Sequence, residues 1–242
     1  MNPRKKSART AASKPANPAP PPRKRILLVD DHPMMRAGMV QLINKQGDLE
    51  VCCEVGSPAE SLALLAEDVP DLVVTDMTMP GRSGVDFIKD ILALAPSLRI
   101  LVLSMHDENL YAERVLHAGA RGYIMKEAGG AQLIVAIRRV LSGEVYVSER
   151  MSAQILNALG GHRPRGSHSP IKTLSDREFE VFQLFGQGKS TRDIAGQLHI
   201  SPKTVDVHRA GIKGKLGLKD VNALVRYAVR WVESQSAGSG EK

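Results

Sequence analysis

Acidic, hydroxyl and lysine side chains stand directly after four short apolar runs of this chain. They are Asp30 and Asp31 after residues 26–29, Asp76 after 72–75, Ser104 after 100–103, and Lys126 after 122–125. Crowded carboxylates repel one another unless a cation compensates, and a hard divalent ion such as Mg²⁺ prefers oxygen ligands. A carboxylate can also attack phosphorus, and a hydroxyl and an ammonium could then bind the new phosphoryl oxygens. These residue types therefore indicate phosphoryl transfer to an aspartate beside a bound Mg²⁺.

Each of these residues has a simpler explanation when it is taken alone. A pair of aspartates in a loop is usually solvated, a lone lysine is usually on the surface, and a serine after a strand is commonly a turn former. The interpretation as a site rests on all of them following apolar runs in order along the chain.

The elements that must position these residues alternate between two patterns. Five apolar runs, at residues 26–29, 51–55, 72–75, 100–103 and 122–125, are typical of strands that are buried on both faces. Amphipathic segments near 33–46, 58–68, 84–95, 108–118 and 130–142 separate or follow them and are typical of helices. Such an order predicts an open parallel sheet with helices on both faces, in which ligands bind at the carboxyl ends of the strands.

Composition excludes several classes of protein. The 242 residues are 43% hydrophobic, which is ordinary for a globular chain of one large or two small domains. We find no apolar run of about 20 residues and no secretory signal, so neither a membrane span nor export is expected. The two cysteines, Cys52 and Cys53, are adjacent, which excludes a disulfide scaffold and is consistent with a reducing, cytoplasmic compartment.

Charge and composition divide the chain into five segments. Residues 1–24 are predicted to be a disordered basic tail, 25–147 the α/β domain, 148–172 a flexible linker, 173–233 an all-helical domain and 234–242 a disordered tail. The basic tail is a solvated tail, a segment that touches nucleic acid non-specifically or an organellar transit peptide, and the first of these is the simplest explanation.

Residues 25–145 resemble the receiver domain of bacterial response regulators. The resemblance is carried by Asp30-Asp31, the run DMTMPG at 76–81, Ser104 and the run GARGYIMK at 119–126. It implies a flavodoxin-like fold with a five-stranded, doubly wound parallel sheet and Asp76 as the phosphoacceptor. It also implies Mg²⁺ held by Asp31, Asp76 and the Thr78 main-chain carbonyl, with Asp30 as the second acidic residue. Lys126 and Ser104 would bind the phosphoryl group, and Tyr123 would be an aromatic switch or a packed strand residue.

The C-terminal segment contains the signals of four helices. Ser175 and Glu178 have the spacing of a capping box, Ser190 can cap a second helix, and Ser201 followed by Pro202 can start a third. A short turn that precedes a helix with a basic polar face is the helix-turn-helix arrangement for the DNA major groove. A small bundle with a solvated face is the simpler alternative.

The runs LSDRE at 174–178, GKSTRDIA at 188–195, ISPKTVDVH at 200–208 and KLG at 215–217 resemble the LuxR-type DNA-binding domain. Together with the receiver, they indicate a member of the NarL/FixJ family of response regulators. The residues that this assigns to DNA binding are Ser190, Thr191, Ser201, Lys203, Thr204, Val207, His208, Arg209 and Lys213. The last helix, at about 220–233, would provide the dimer contact through Val221, Leu224, Val225 and Ala228 and also cover the domain core.

Three residues depart from the family pattern in the third helix. Asp206 stands where many members have lysine, Gly211 where asparagine is frequent, and Gly214 where a longer side chain is usual. Each interior glycine costs a helix about 0.5–1 kcal/mol relative to alanine. We therefore expect a loosely held third helix whose specificity does not follow that of relatives.

The expected function is phosphorylation-dependent transcriptional regulation rather than enzymatic turnover. A sensor histidine kinase would phosphorylate Asp76, and the phosphorylated homodimer would then bind two half-sites in double-stranded DNA. One alternative is an aspartyl-phosphate hydrolase, but that needs a second acid where Thr78 stands. The other is a DNA-binding protein controlled by a small ligand, which requires an apolar pocket that a chain with so few aromatic residues does not suggest.

Overall fold

The computed structural model describes residues 22–79, 82–105, 108–159 and 170–238. A five-stranded parallel sheet forms the N-terminal domain. Its strands are β1 (Lys24–Val29), β2 (Leu49–Val55), β3 (Leu72–Asp76), β6 (Arg99–Ser104) and β7 (Gly122–Met125), and they are arranged in the order β2-β1-β3-β6-β7. The short strands β4 (Thr78–Met79) and β5 (Arg82–Ser83) pair separately as an antiparallel hairpin. The predicted fold class is confirmed for this domain.

Helices cover both faces of the sheet because its central strands are apolar on both sides. They are α1 (Pro33–Asn44), α2 (Pro58–Glu67), α3 (Gly84–Leu94), α4 (Glu108–His117) and α5 (Gly129–Leu141). One face packs against α1 and α5 through a core that includes Ile26, Leu28 and Val74. The other packs against α2, α3 and α4 through a core that includes Leu27 and Val73, so successive residues of β1 and β3 point to opposite faces.

The C-terminal domain consists of four helices, three of which begin at the predicted caps. They are α7 (Asp176–Gly186), α8 (Thr191–Gln197), α9 (Pro202–Leu216) and α10 (Val221–Gly238). Ser175 and Glu178 form the predicted capping box at the start of α7, and Ser190 caps α8. Ser201 accepts a hydrogen bond from the Thr204 amide at the start of α9. The chain leaves α9 through Gly217, at a φ of 65° that favours glycine.

The connecting segment and the C-terminus differ from the prediction. Helix α6 (Glu149–Leu159) occupies part of the segment that was expected to be a flexible linker, and a 3₁₀ turn (Pro170–Thr173) follows before α7. Buried Met151 packs into the domain core with Ile155, an i, i+4 pair that the polar composition of the segment obscures. Helix α10 continues to Gly238, past the expected end at 233. Residues 1–21, 160–169 and 239–242 of the predicted tails and linker lie outside the described residues.

The two domains contact each other through α4 and α7. Apolar side chains of both domains belong to one continuous cluster, which includes Tyr111 and Val115 of α4 and Phe179 of α7.

None of the described helices is long and apolar enough to cross a membrane.

Candidate functional site

The acidic and basic residues predicted from the sequence meet at the carboxyl edge of the sheet. Lys126 Nζ lies 2.8 Å from Asp30 Oδ2 and 2.7 Å from Asp76 Oδ2, and it donates a hydrogen bond to each. All three side chains are buried, whereas that of Asp31 is 26% exposed. The loop after β3 is held close by Gly84, where a Cβ atom would lie 2.3 Å from the Met77 carbonyl oxygen.

Burial and pairing shift the pKa values of this cluster. Burial raises the pKa of the Asp76 carboxyl above its ordinary value, although the hydrogen bond from Lys126 opposes the shift. Burial lowers the pKa of Lys126, but its hydrogen bonds to Asp30 and Asp76 outweigh that effect and raise the pKa overall. Lys126 is therefore a firmly charged ammonium that partly neutralises a carboxylate cluster.

The donor atoms of this edge fit a hard divalent cation. Single oxygen or nitrogen atoms of Asp30, Asp31, His32 and Asp76 all lie within 4.8 Å of one another. Three carboxylates opposed by one ammonium leave an excess of negative charge that a divalent ion would balance. His32 was not predicted from the sequence, although its position directly after Asp30-Asp31 is a signal that could have identified it.

The remaining predicted residues of this edge lie in the loop after β3 and in the neighbouring strands β6 and β7. The Thr78 amide donates a hydrogen bond to Asp76 Oδ1 at 3.2 Å. Ser104 ends β6, is fully buried, and pairs in register with Met125, the neighbour of Lys126. Tyr123 of β7 is also fully buried and belongs to the same core cluster as Tyr111 of α4. The structure thus brings Asp30, Asp31, Asp76, Ser104 and Lys126 to one edge.

The third helix of the C-terminal domain, α9, presents an open surface. Lys203 and Val207 are exposed one turn apart, and 63% of the Val207 side chain is accessible. Ser190 and Ser201 are exposed at the starts of α8 and α9, with Thr191 and Thr204 half-buried beside them. Ser201, Lys203, Thr204 and Val207 thus lie at the beginning of α9, whereas Ser190 and Thr191 lie at the beginning of α8.

Three other predicted DNA-binding residues lie partly inside the domain. His208 is half-buried, and burial lowers its pKa, with the nearby positive charge of Arg177 as a second cause. Arg209 pairs with Asp206 at 2.8 Å and lies 3.5 Å from the Thr191 hydroxyl. Lys213 is half-buried in the last turn of α9. The acidic Asp206 is thus balanced within its own helix by Arg209.

One of the unusual glycines of α9 has a structural reason. A Cβ atom at Gly211 would lie 2.5 Å from Glu178 Oε1, and the other oxygen of that carboxylate accepts hydrogen bonds from Lys215 Nζ at 2.6 Å and the Ser175 amide at 2.7 Å. Gly211 therefore leaves room for a carboxylate that ties α7 to α9. A Cβ at Gly214 would meet nothing within 4 Å. The expectation of a loosely held helix does not fit the surroundings of Gly211.

The residues predicted for the dimer contact divide between the inside and the outside of α10. Leu224 and Ala228 are fully buried against α7, whereas Val221 and Val225 are half-buried. The Ala228 backbone also approaches α7 closely, since a Cβ at Gly186 would lie 2.6 Å from its carbonyl oxygen. Leu224 and Ala228 therefore cover the core of their own domain.

The contact between the domains involves residues that the sequence analysis did not identify. The Tyr111 hydroxyl of α4 donates a hydrogen bond to Gln183 Oε1 of α7, and both side chains are buried. Arg114 donates hydrogen bonds to the Leu174 carbonyl at 3.1 Å and to the Ile171 carbonyl at 3.3 Å, and its guanidinium lies 4.3 Å from the centre of the Phe179 ring. Such cross-domain pairs have no signature in sequence spacing.

Comparisons with known proteins agree with both halves of this architecture. Residues 26–138 match the family of response regulator receiver domains, and residues 172–228 match the luxR family of bacterial regulatory proteins. The oxygen regulatory protein NreC of Staphylococcus haemolyticus is 36% identical over 210 residues, which are 85% of this chain and 97% of that protein.

Solved structures show the same relationship. A LuxR-family two-component response regulator from Aurantimonas is 34% identical, with a TM-score of 0.54 over 57% of this chain and 99% of its own. A second structure is RcsB of Salmonella enterica serovar Typhimurium bound to the rprA promoter in the presence of the phosphomimetic BeF₃⁻. It is 26% identical to this chain, with a TM-score of 0.60 over 86% of this chain and 99% of its own.

A parallel sheet with an acidic edge, joined to a helix-turn-helix domain, defines the class of DNA-binding response regulators. This chain belongs to the NarL/FixJ family of two-component response regulators, with a receiver domain and a LuxR-type DNA-binding domain. The resemblance predicted from the sequence is confirmed.

Proposed function

We propose that Asp76 accepts a phosphoryl group from a sensor histidine kinase and that this modification controls DNA binding by a homodimer. The observation that carries the proposal is the paired contact of Lys126 Nζ with Asp30 and Asp76. In the transfer, a carboxylate oxygen of Asp76 forms a bond to phosphorus while the P–N bond of phosphohistidine breaks, and the electron pair remains on the imidazole nitrogen. Lys126 and Ser104 then bind the equatorial oxygens of the new acyl phosphate.

The chain's own residues prepare this step by holding charge in place. Asp31, Asp76 and the Thr78 carbonyl would hold Mg²⁺, which when bound supplies positive charge to the transferring phosphoryl oxygens. Lys126 keeps the Asp76 carboxylate oriented by donating a hydrogen bond to it. Asp30 fixes the ammonium from the other side, so a loss of Asp30 would also loosen Lys126.

An apolar groove beside the site supports the kinase as the phosphoryl donor. It runs between α1 and α5, with Met34, Met35, Leu42 and Leu133 along it and Lys126 at its end. Met34 is 91% exposed, which is unusual for a side chain of that size. A helix of the kinase domain that carries phosphohistidine could bury this groove and bring the histidine to Asp76. Methionine side chains adapt to such partners because they are unbranched and polarisable.

Control of DNA binding by phosphorylation is supported by the contact between the domains. The loop that follows Asp76 and the start of α4 lie against α7, because Met77, Thr78, Arg82 and Tyr111 share a small cavity with Gln183. The loop that follows Asp76 thus connects the site of a change of charge directly with the DNA-binding domain. Phosphorylation would shift a pre-existing equilibrium between docked and released domains. Released domains would form the dimer and bind two half-sites about one helical turn, or a simple multiple, apart.

The test is phosphorylation by acetyl phosphate with Mg²⁺, followed by intact-mass measurement. The wild-type chain should gain one phosphoryl group, and Asp76→Asn should gain none. Asp90→Asn is a matched control, because Asp90 is a surface carboxylate that pairs with Arg82 at 2.7 Å, away from the cluster. Equal labelling of wild type and Asp76→Asn would refute the assignment. Phosphorylated protein should then show stronger self-association and tighter binding to DNA selected from random sequence.

A further inference from the structure

The imidazole of His32 lies among the carboxylates that would hold the divalent ion. Its Nδ1 atom is 2.7 Å from Asp31 Oδ1, 3.3 Å from Asp30 Oδ1 and 3.9 Å from Asp76 Oδ2. His32 is the residue before Pro33, the first residue of α1, and its amide donates a hydrogen bond to Asp30 Oδ1 at 2.8 Å. The backbone therefore holds this residue directly over the acidic cluster.

The approach of His32 to Asp31 is not a hydrogen bond. Asp31 Oδ1 is buried and has no hydrogen-bond partner among the described residues, although Nδ1 is only 2.7 Å away. The Nδ1 atom also forms a hydrogen bond with Asp30 Oδ1 at 3.3 Å, so the ring nitrogen lies between oxygens of two neighbouring carboxylates. A divalent ion bound by the same atoms would take the place of that hydrogen bond.

The distances between the donor atoms fit an octahedral ion. With metal–ligand bonds of about 2.1 Å, neighbouring donors of an octahedron are about 3.0 Å apart and opposite donors about 4.2 Å apart. The distances from Nδ1 to the oxygens of Asp31 and Asp30 are close to the first value, and the distance to Asp76 lies between the two values. At Asp30 the lysine and the imidazole approach different oxygens, Oδ2 and Oδ1, whereas at Asp76 both approach Oδ2, which also accepts the hydrogen bond from Lys126.

We propose that His32 is a nitrogen ligand of this metal site and makes it selective for divalent ions that bind imidazole. Mg²⁺ binds oxygen and retains its waters, whereas Mn²⁺, and Co²⁺ more strongly, accept an imidazole nitrogen. The site would thus take Co²⁺ and Mn²⁺ more tightly than an all-oxygen site does. His32 is mostly exposed, with 67% of its side chain accessible, so it can turn toward the ion without rearrangement of the core. The inference rests on the metal site proposed above and adds a ligand to it.

The experiment is pulsed electron paramagnetic resonance on full-length protein loaded with Mn²⁺, which detects the nuclei that coordinate the metal ion. Bound Mn²⁺ should show modulation from a directly coordinated imidazole ¹⁴N nucleus, and His32→Ala should lose it. Calorimetric titrations should show Co²⁺ affinity at least 10-fold weaker in His32→Ala and Mg²⁺ affinity changed by less than 3-fold. The matched control is His199→Asn, since His199 is exposed, distant in the second domain, and has a φ of 51° that asparagine tolerates.

The possible results separate this inference from the proposed function. Bound Mn²⁺ without nitrogen modulation in the wild type, or equal losses of Mg²⁺ and Co²⁺ affinity in His32→Ala, would overturn the role of His32. Phosphorylation of Asp76 by acetyl phosphate would be untouched by that result. The opposite result is also possible. If the nitrogen modulation depended on His32 but Asp76 were never phosphorylated, His32 would be supported as a metal ligand and the proposed function would be refuted.

Discussion

Arg114 Nη1 lies 3.0 Å from Asp176 Oδ1, and this ion pair joins α4 of the receiver domain to the first turn of α7 in the DNA-binding domain. Both side chains are largely buried, and Lys89 of α3 reaches the other oxygen of Asp176 at 3.3 Å. Asp176 also stands in the first turn of α7, where a carboxylate interacts favourably with the helix dipole. One carboxylate thus connects two receiver helices to the domain that binds DNA.

Loss of Arg114 should release the two domains from each other. Arg114→Ala removes the ion pair and two hydrogen bonds to main-chain carbonyls, and charged hydrogen bonds contribute about 1.5–3 kcal/mol each. We expect the equilibrium constant between docked and released domains to fall at least 10-fold. Small-angle X-ray scattering should show a larger radius of gyration for unphosphorylated Arg114→Ala than for the wild type.

The control for this change is Arg138→Ala. Arg138 also forms an ion pair with an aspartate, Asp48 at 2.8 Å, but both residues are exposed and belong to the receiver domain. The radius of gyration of Arg138→Ala should equal that of the wild type. If Arg114→Ala also scattered like the wild type, the ion pair would not hold the domains together.

Substitution of the two glycines of α9 should have different effects on stability. Gly214→Ala should raise the free energy of unfolding by about 0.5–1 kcal/mol, because alanine is the better helix former and the site is open. Gly211→Ala should gain less or lose stability, since its Cβ would displace the Glu178 carboxylate from Lys215. Urea unfolding followed by the fluorescence of Trp231, the single tryptophan, measures this domain. Equal gains in both variants would show that Glu178 moves aside at no cost.

The sequence predicted the receiver domain in detail because its signals are local and repeated. Continuous apolar runs predicted that β1 and β3 are buried on both faces, and Asp76 and Lys126 come directly after such runs. Parallel strands bring those positions to one edge whatever the loops do, so the meeting of Asp30, Asp76 and Lys126 followed from topology.

The features that the sequence did not predict depend on contacts between distant segments. Helix α6 has few large apolar residues, and it is Met151, buried against the receiver, that gives it a core-facing side. The need for a glycine at position 211 comes from Glu178, which lies in another helix. Tyr111 and Gln183 are 72 positions apart, and neither has a spacing that marks it.

Truncation of Leu224 should unfold the DNA-binding domain more easily. Leu224 is fully buried between α10 and α7, and replacement of a buried leucine by alanine typically costs about 2–5 kcal/mol. Val225→Ala removes fewer atoms from a half-buried position and should cost less than about 1.5 kcal/mol. Urea unfolding with Trp231 as the probe measures both variants. A Leu224→Ala variant as stable as the wild type would mean that this residue faces a partner subunit instead of the core.

Lys203 and His208 should differ in the salt dependence of DNA binding. An exposed lysine that neutralises one phosphate adds about −0.9 to the slope of log K against log[salt], so Lys203→Ala should make the slope shallower by that amount. His208→Gln should leave the slope unchanged, because its lowered pKa keeps the imidazole neutral at pH 7.5. Fluorescence anisotropy with a selected DNA duplex between about 50 and 200 mM salt measures both slopes. A shallower slope in His208→Gln would place a charged imidazole at a phosphate.

The lowered pKa of His208 also predicts how the free energy of unfolding depends on pH. The pKa of His208 is lowered from its ordinary value of 6.5 in the folded domain, first by burial and then by the charge of Arg177. The unfolded chain therefore takes up a proton at a higher pH than the folded chain, and the free energy of unfolding falls as the pH drops through 6.5. Urea unfolding monitored at Trp231 should show a smaller loss between pH 7.5 and 5.5 in His208→Gln than in the wild type. The variant His199→Asn removes an exposed histidine from the same domain and should keep the wild-type loss, whereas equal losses in all three proteins would mean that His208 has the same pKa in the folded and unfolded chains.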